Sequence, residues 1–169
     1  MNDAPDYVEP VVGWRMWYAV EHGATTSLSS VVQRTLWPCG APLVAVCRGF
    51  RVRVWPFNRS HDAPAAGCNC GIHAANVATL RTYLPERFAW TDLVPVVGRV
   101  SLWGLVYEHE RGWRAALAYP QCLFVPVAEL GRSRAAQMLS DLRRYGVPVR
   151  PVDGSTADAV IDEVSALAA

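Results

Sequence analysis

Val96-Val97-Gly98-Arg99-Val100-Ser101-Leu102-Trp103-Gly104-Leu105-Val106-Tyr107 is followed by Glu108-His109-Glu110-Arg111-Gly112 and then by a second apolar arm, Trp113 to Tyr119. β-Branched and aromatic residues dominate both arms, and they suit the pleated, half-buried surface of a sheet. The five residues between the arms are polar and end in glycine, so the segment reads as a long hairpin with Gly112 at a positive-φ bulge position. Gly98 and Gly104 interrupt the first arm where a missing side chain relieves bending or lets another backbone approach. The expectation is a curved antiparallel sheet, barrel-like if it closes, rather than a flat one.

Working back from the hairpin, Ile72 to Leu84 carries good helix formers and stops at Pro85, which predicts a helix entered from Cys68-Asn69-Cys70-Gly71. Asn58 to Asn69 reads as loop. Arg51-Val52-Arg53-Val54 alternates with a period of two and predicts a strand with one wet face, and Leu43 to Cys47 predicts a short apolar strand with Cys47 at its edge. Small and hydroxyl residues from Ala24 to Ser30 predict a loop, entered by a turn at His22-Gly23, and Trp37 to Pro42 a second one. Val11 to Val20 predicts a strand, and residues 1–8 a polar tail.

Beyond the hairpin, Ser133 to Tyr145 predicts a helix with Ala135, Met138, Leu139 and Leu142 on one face and Gly146 ending it. Val147-Pro148-Val149 can form no more than an edge strand, because proline removes a ladder donor. Ser155-Thr156-Ala157-Asp158 opens a last helix whose stripe is Ala157, Val160, Ile161, Val164 and Leu167. No repeat or linker divides the chain, so the α+β pattern with flanking helices is expected to form one domain over residues 1–169.

Composition agrees with a packed fold and narrows the partners. The 169 residues are 51% hydrophobic and 18% charged, with seven Trp, which excludes general disorder. Formal charge is +1, so the molecule as a whole has no electrostatic pull towards nucleic acid or membrane. The sixteen basic residues are all Arg, as a GC-rich codon bias produces without any functional cause. The acidic start Met-Asn-Asp-Ala-Pro-Asp-Tyr has no apolar run behind a basic region, and no stretch approaches the ~18 apolar residues of a membrane span. A soluble, cytoplasmic protein is expected.

The chemistry is concentrated in cysteine and histidine. Cys39, Cys47, His61, Cys68, Cys70 and His73 fall within 35 residues, and the segment from Asn58 to Asn69 has little apolar material with which to order itself. Thiolate and imidazole are the ligands zinc takes in closed tetrahedral sites, where four of them can contribute on the order of 10 kcal/mol to folding. The preferred set is Cys47, His61, Cys68 and Cys70, which draws on a strand end, a loop and the turn beyond it; Cys39 and His73 are reserves. Cys-X-Cys is tighter than the usual finger spacing, and buried thiols are the bland alternative, but Ala-Gly-Cys-Asn-Cys-Gly offers nothing apolar to bury them in. An iron–sulfur cluster is the rival cofactor, since four Cys are at hand if Cys39 is counted. Neither His-Glu-X-X-His nor a deaminase signature occurs, and four protein ligands leave no coordination position for a reacting water.

Three weaker sites remain. Glu108-His109-Glu110 is the densest group of proton-transfer residues and could serve an enzyme with a pocket lined by Trp103 and Trp113, although polar residues belong in a turn in any case. Trp103, Glu108, His109, Trp113 and Arg114 together offer a ligand or partner surface. Arg48, Arg51, Arg53 and Arg59, beside Trp55 and Phe57, make the best basic patch for nucleic acid. No Walker loop or dinucleotide fingerprint is present.

Gly13-Trp14-Arg15-Met16-Trp17, His61-Asp62-Ala63-Pro64 with Cys68-Asn69-Cys70-Gly71-Ile72-His73-Ala74, and Val100-Ser101-Leu102-Trp103-Gly104 with Glu108-His109-Glu110-Arg111-Gly112-Trp113-Arg114-Ala115 resemble a family of small uncharacterised, largely actinobacterial proteins. The resemblance implies no activity. It does imply that the His73 position is often Tyr and the Cys39 position often not Cys, which favours Cys47, His61, Cys68 and Cys70 as ligands. The function expected from the sequence is a non-enzymatic binding or regulatory module whose partner is a protein or small ligand and whose zinc orders a surface loop.

Overall fold

The computed structural model describes residues 9–47, 61–83, 93–128, 130–154 and 157–168. The strands are β1 (Val11–His22), β2 (Thr25–Ser30), β3 (Leu43–Val44), β4 (Ile72–Ala75), β5 (Val94–His109), β6 (Gly112–Pro126) and β7 (Val149–Val152). The helices are α1 (Val77–Tyr83), α2 (Arg132–Leu142) and α3 (Ala157–Ala168). All seven strands share one sheet, and the fold is α+β with a mostly sheet core.

The β5–β6 hairpin is the frame, as the sequence predicts. His109 pairs with Gly112, which leaves Glu110 and Arg111 as a two-residue turn. Gly112 has φ +139°, and a Cβ there would meet the Ala74 carbonyl oxygen at 2.1 Å, so β4 can lie against the hairpin only because the position is glycine. Gly104, at φ +74°, sits in the irregularity between Trp103 and Val106 and bends β5. Val94, Pro95, Val96 and Val97 are all buried, because this half of β5 is covered on both faces. Val94, Val96, Val100 and Leu102 join Trp17, Leu28, Met138, Leu142 and Tyr145 under α2. Val97 points the other way, into a second cluster with Phe124, Leu80, Val160, Ile161 and Val164 from α1 and α3.

β1 runs antiparallel to β5 from Val11↔Leu102 to Ala19↔Val94 and touches β4 through Trp14↔Ala75. Since β4 and β5 both pair with β6, the pairings β1–β5–β6–β4–β1 return to their start. One pair, β6 with β7, is parallel, which departs from the all-antiparallel expectation: the helical crossover through α2 brings the chain back in the same direction. Within β7, Pro151 is tolerated because, among the described residues, the strand is an edge that pairs with β6 alone.

Three other expectations fail in whole or in part. Ala24 to Ser30 does not form a loop: Thr25 to Ser30 is strand β2, paired with His22 to Trp17. Its polar groups are buried because α2 and the neighbouring loop supply partners. Asp141 Oδ2 accepts from Thr26 N at 2.8 Å, and Trp37 Nε1 donates to Ser30 Oγ at 3.0 Å. The helix expected from Ile72 starts instead at Val77, since Ile72 to Ala75 pair with β6 and Asn76 Oδ1 caps the helix by accepting from Thr79 N at 2.8 Å. The strand expected over Leu43 to Cys47 is reduced to Leu43–Val44, although Ala45 N still donates to Ala116 O at 2.8 Å. The expected tail over residues 1–8 and the expected strand over Arg51 to Val54 lie outside the described residues. α2 ends as predicted, in a tight turn over Arg143–Tyr145 closed by Gly146 at φ +70°. Among the described residues, no helix is long and apolar enough to cross a membrane.

Tyr145 ties this frame together with a single oxygen. Its hydroxyl accepts from Leu28 N and donates to Trp37 O, both at 2.9 Å, on a side chain only 2% exposed. Burial raises its pKa, so the phenol stays protonated and can donate. Tyr145→Phe leaves a buried N–H and a buried carbonyl without partners, and we expect a loss of about 1–3 kcal/mol in the urea-unfolding free energy followed by Trp fluorescence. An unchanged midpoint would show that water or a shifted neighbour satisfies both groups.

Candidate metal centre

β3 and β4 lie end to end along one edge of β6. Leu43 and Val44 face Ala118 and Leu117, Ala45 bonds to Ala116, and Ile72 then takes up the ladder opposite Ala115. Ala45 and Ile72 thus stand next to each other along β6, opposite Ala116 and Ala115, and form a narrow neck. Cys47 stands on the outgoing side of that neck and Cys70 on the returning side.

One guanidinium holds the returning side. Arg114 lies on β6, paired with His73 on β4 and with Tyr107 on β5, and it is only 6% exposed. Its Nη1 donates to the carbonyls of Ala65 and Cys70, each at 3.1 Å, and to that of Cys68. Nε donates to His109 Nε2 at 2.9 Å, and the guanidinium carbon lies 4.6 Å from the centre of the Tyr107 ring. Sequence reasoning set Arg114 on a partner surface; it is inside, spent on the loop. What covers it is a turn more than forty residues away in the chain, through the Ala65, Cys68 and Cys70 carbonyls, which residue type alone does not reveal.

The four side chains of the preferred set come together. One ligand atom from each of Cys47, His61, Cys68 and Cys70 lies within 4.8 Å of the others. Cys47 Sγ is 3.8 Å from Cys68 Sγ, and Cys70 Sγ is 4.0 Å from His61 Nδ1. His61 is exposed and the three thiols are half-buried. Such a Cys3His cluster could hold a metal ion.

The cluster also separates the acidities of its members. Hydrogen bonds from the Cys70 backbone and side chain, with help from Cys47 and His61, bring the Cys68 thiol down to about 7. Desolvation and the neighbouring Cys68 push Cys70 up. His61 is raised, chiefly by its hydrogen bond to the Asp62 carbonyl, 3.0 Å from Nδ1.

Both reserves stand elsewhere. Cys39 is exposed and beside Tyr145, in the loop whose Gly40 N donates to Tyr119 OH. His73, in β4 rather than in a helix, has Nε2 3.1 Å from the Asn69 carbonyl, and burial lowers its pKa. Glu108, His109 and Glu110 are exposed at the hairpin end, and Glu108 and His109 line a shallow depression of about 500 Å³ with Trp113. Trp103 does not join them; it sits further down β5, opposite Leu117. His109 offers its Nε2 lone pair to Arg114, which occupies the nitrogen a general base would use. Arg48, Arg51, Arg53 and Arg59 lie outside the described residues.

Compared with protein-family models, curated proteins and solved structures, the chain matches none.

The acidities make the cluster testable without knowing its ion. In protein stripped of metal, iodoacetamide should label Cys68 with a rate that rises through about pH 7, and Cys70 only at higher pH. Adding zinc should protect Cys47, Cys68 and Cys70 and leave exposed Cys39 reactive. Equal protection of Cys39, as followed by peptide mass mapping, would mean that the ion binds somewhere else.

Proposed function

We propose that Cys47, His61, Cys68 and Cys70 hold one zinc ion in a closed, structural site, and that the chain is a zinc-ordered binding or regulatory module rather than an enzyme. The convergence of four ligand atoms within 4.8 Å carries this reading. Zn–S bonds of about 2.3 Å in a tetrahedron set two sulfurs ~3.8 Å apart; the Cys47 and Cys68 sulfurs are 3.8 Å apart. An iron–sulfur cluster places several atoms between its ligands and needs them spread more widely, so the compactness favours a single ion.

Charge supports the same choice. Three thiolates, a neutral imidazole and a divalent ion sum to −1, and the buried Arg114 guanidinium behind the Cys68 and Cys70 carbonyls offsets it. Four protein ligands leave the ion no open position, which argues for a structural rather than a catalytic role. A reducing compartment such as the cytoplasm keeps three thiols available as ligands. The family resemblance supports the reading as well: His61 to Ala74, one of its three stretches, and Gly112 to Ala115, the end of another, are the parts that meet at Arg114.

The purified protein should contain one equivalent of zinc and show no visible absorption; a coloured protein with iron and acid-labile sulfide would overturn the assignment. Cys68→Ser should release the ion and increase proteolysis between β3 and β4, with the rest of the sheet intact by far-UV circular dichroism. Arg114→Met should weaken zinc about 10- to 100-fold in a competition titration, and Arg114→Lys less, because the lysine keeps the charge but not the fork. Full zinc affinity in Arg114→Met would remove the guanidinium from the site.

A further inference from the structure

We propose that the cleft in front of β1 and β4 binds a small organic anion with a flat apolar body, whose charge is taken by Arg15. The cleft measures about 620 Å³, within the range of small-molecule sites. Arg15 and Arg111 line it with His73 and His109, and the indoles of Trp14 and Trp113 supply flat surface. Among the described residues, no Asp or Glu lines it. A wall whose described residues carry two guanidinium groups and no carboxylate is complementary to negative charge.

Arg15 is the stronger of the two. Its Nη1 donates to the His73 carbonyl, its Nη2 to Ser30 Oγ at 3.3 Å, and its guanidinium carbon lies 5.1 Å from the centre of the Trp37 ring. None of these partners carries a negative charge, and its buried Nε finds no acceptor. A half-buried cation normally has a counter-ion, since desolvation without one is costly. Burial lowers its pKa to about 10, which leaves it charged at neutral pH. No ion pair to Arg15 occurs among the described residues, and an anionic ligand supplies the counter-charge.

The apolar half of the ligand follows from the other walls. Val32, Val44 and Val46 are 90%, 61% and 66% exposed and line this same cleft. Large hydrophobic residues grouped beside a cation with no counter-ion among the described residues describe a site for an amphipathic acid, in which rings or chains cover the valines and the charged end reaches Arg15. A free inorganic ion would leave those walls wet.

The residues concerned are not the proposed zinc ligands, and the inference does not rest on the zinc reading. The test uses the full chain with its metal content measured in each sample. 1-Naphthoate is titrated by calorimetry against its neutral analogue 1-naphthamide and against inorganic phosphate. We expect saturable 1:1 binding of naphthoate, at least about tenfold weaker binding of naphthamide, and weaker binding still of phosphate. Arg15→Gln should weaken naphthoate roughly 10- to 100-fold while leaving naphthamide unchanged. Should Arg15→Gln fail to fold, Arg111→Gln, at an exposed position on the rim, must reduce naphthoate binding selectively. Naphthoate binding no tighter than naphthamide, or unaffected by both substitutions, overturns the proposal, and phosphate binding as tightly as naphthoate overturns its apolar half. Failure of anion binding with zinc retained counts against this inference alone, and loss of zinc with binding retained counts only against the metal reading.

Discussion

A guanidinium with three backbone carbonyls on it is the constraint around which this molecule is arranged. Burying Arg114 costs several kcal/mol unless its donors are used, and the hairpin itself takes up Nε, through His109. The Cys-rich turn takes up Nη1: the carbonyls of Ala65, Cys68 and Cys70 converge on it. Each side therefore needs the other. The turn has few apolar residues with which to pack, and the arginine has no carboxylate partner among the described residues.

The position of Arg114 on β6 explains why the cysteines meet where they do. One edge of that strand is shared by β3 and β4, whose facing residues are consecutive, so Cys47 leaves the sheet beside the point where Cys70 and Gly71 return. Closing a loop costs entropy that grows only slowly with its length. Here most of that cost is already met by β-sheet pairing at the neck, and an ion at the same place adds its ligand bonds to a loop whose ends are held. The stiffness of β6 comes in turn from burial on both faces, by the α2 side through Leu123 and Val125 and by the α3 side through Phe124.

What the sequence shows and what it hides follow from the range of the forces involved. The hairpin was legible because strand propensity, alternation and turn chemistry agree within thirty residues. The α2 stop at Gly146 and the buried stripe Val160, Ile161 and Val164 were legible for the same reason. Cys47, His61, Cys68 and Cys70 were legible as a set because few residue types serve as metal ligands and a polar segment needs an external cross-link. β2 was not, since this polar stretch becomes a buried strand only once Asp141 and Tyr145 accept from Thr26 N and Leu28 N across more than a hundred residues and Trp37 donates to Ser30 around a loop. Ile72 to Ala75 was not, because Ala74, Ala75 and the following Ala78 favour a helix locally while Gly112 makes room for a strand.

Arg15 and Arg114 show the same limit at the level of single side chains. Both come from stretches that mix indole with guanidinium, and sequence alone gives no reason to separate them. Their neighbours do: Arg114 faces carbonyls that a turn presents to it, so its donors are consumed and its charge serves the loop. Arg15 faces a carbonyl, a hydroxyl and an indole, which accept hydrogen bonds or polarise but carry no charge. An arginine whose donors are used on the turn that carries the cysteines is explained by the fold; one with no counter-ion among the described residues, at the edge of a 620 Å³ cleft, is not. The difference between the two is why the first is assigned to holding the chain together and the second to holding something that is not part of it.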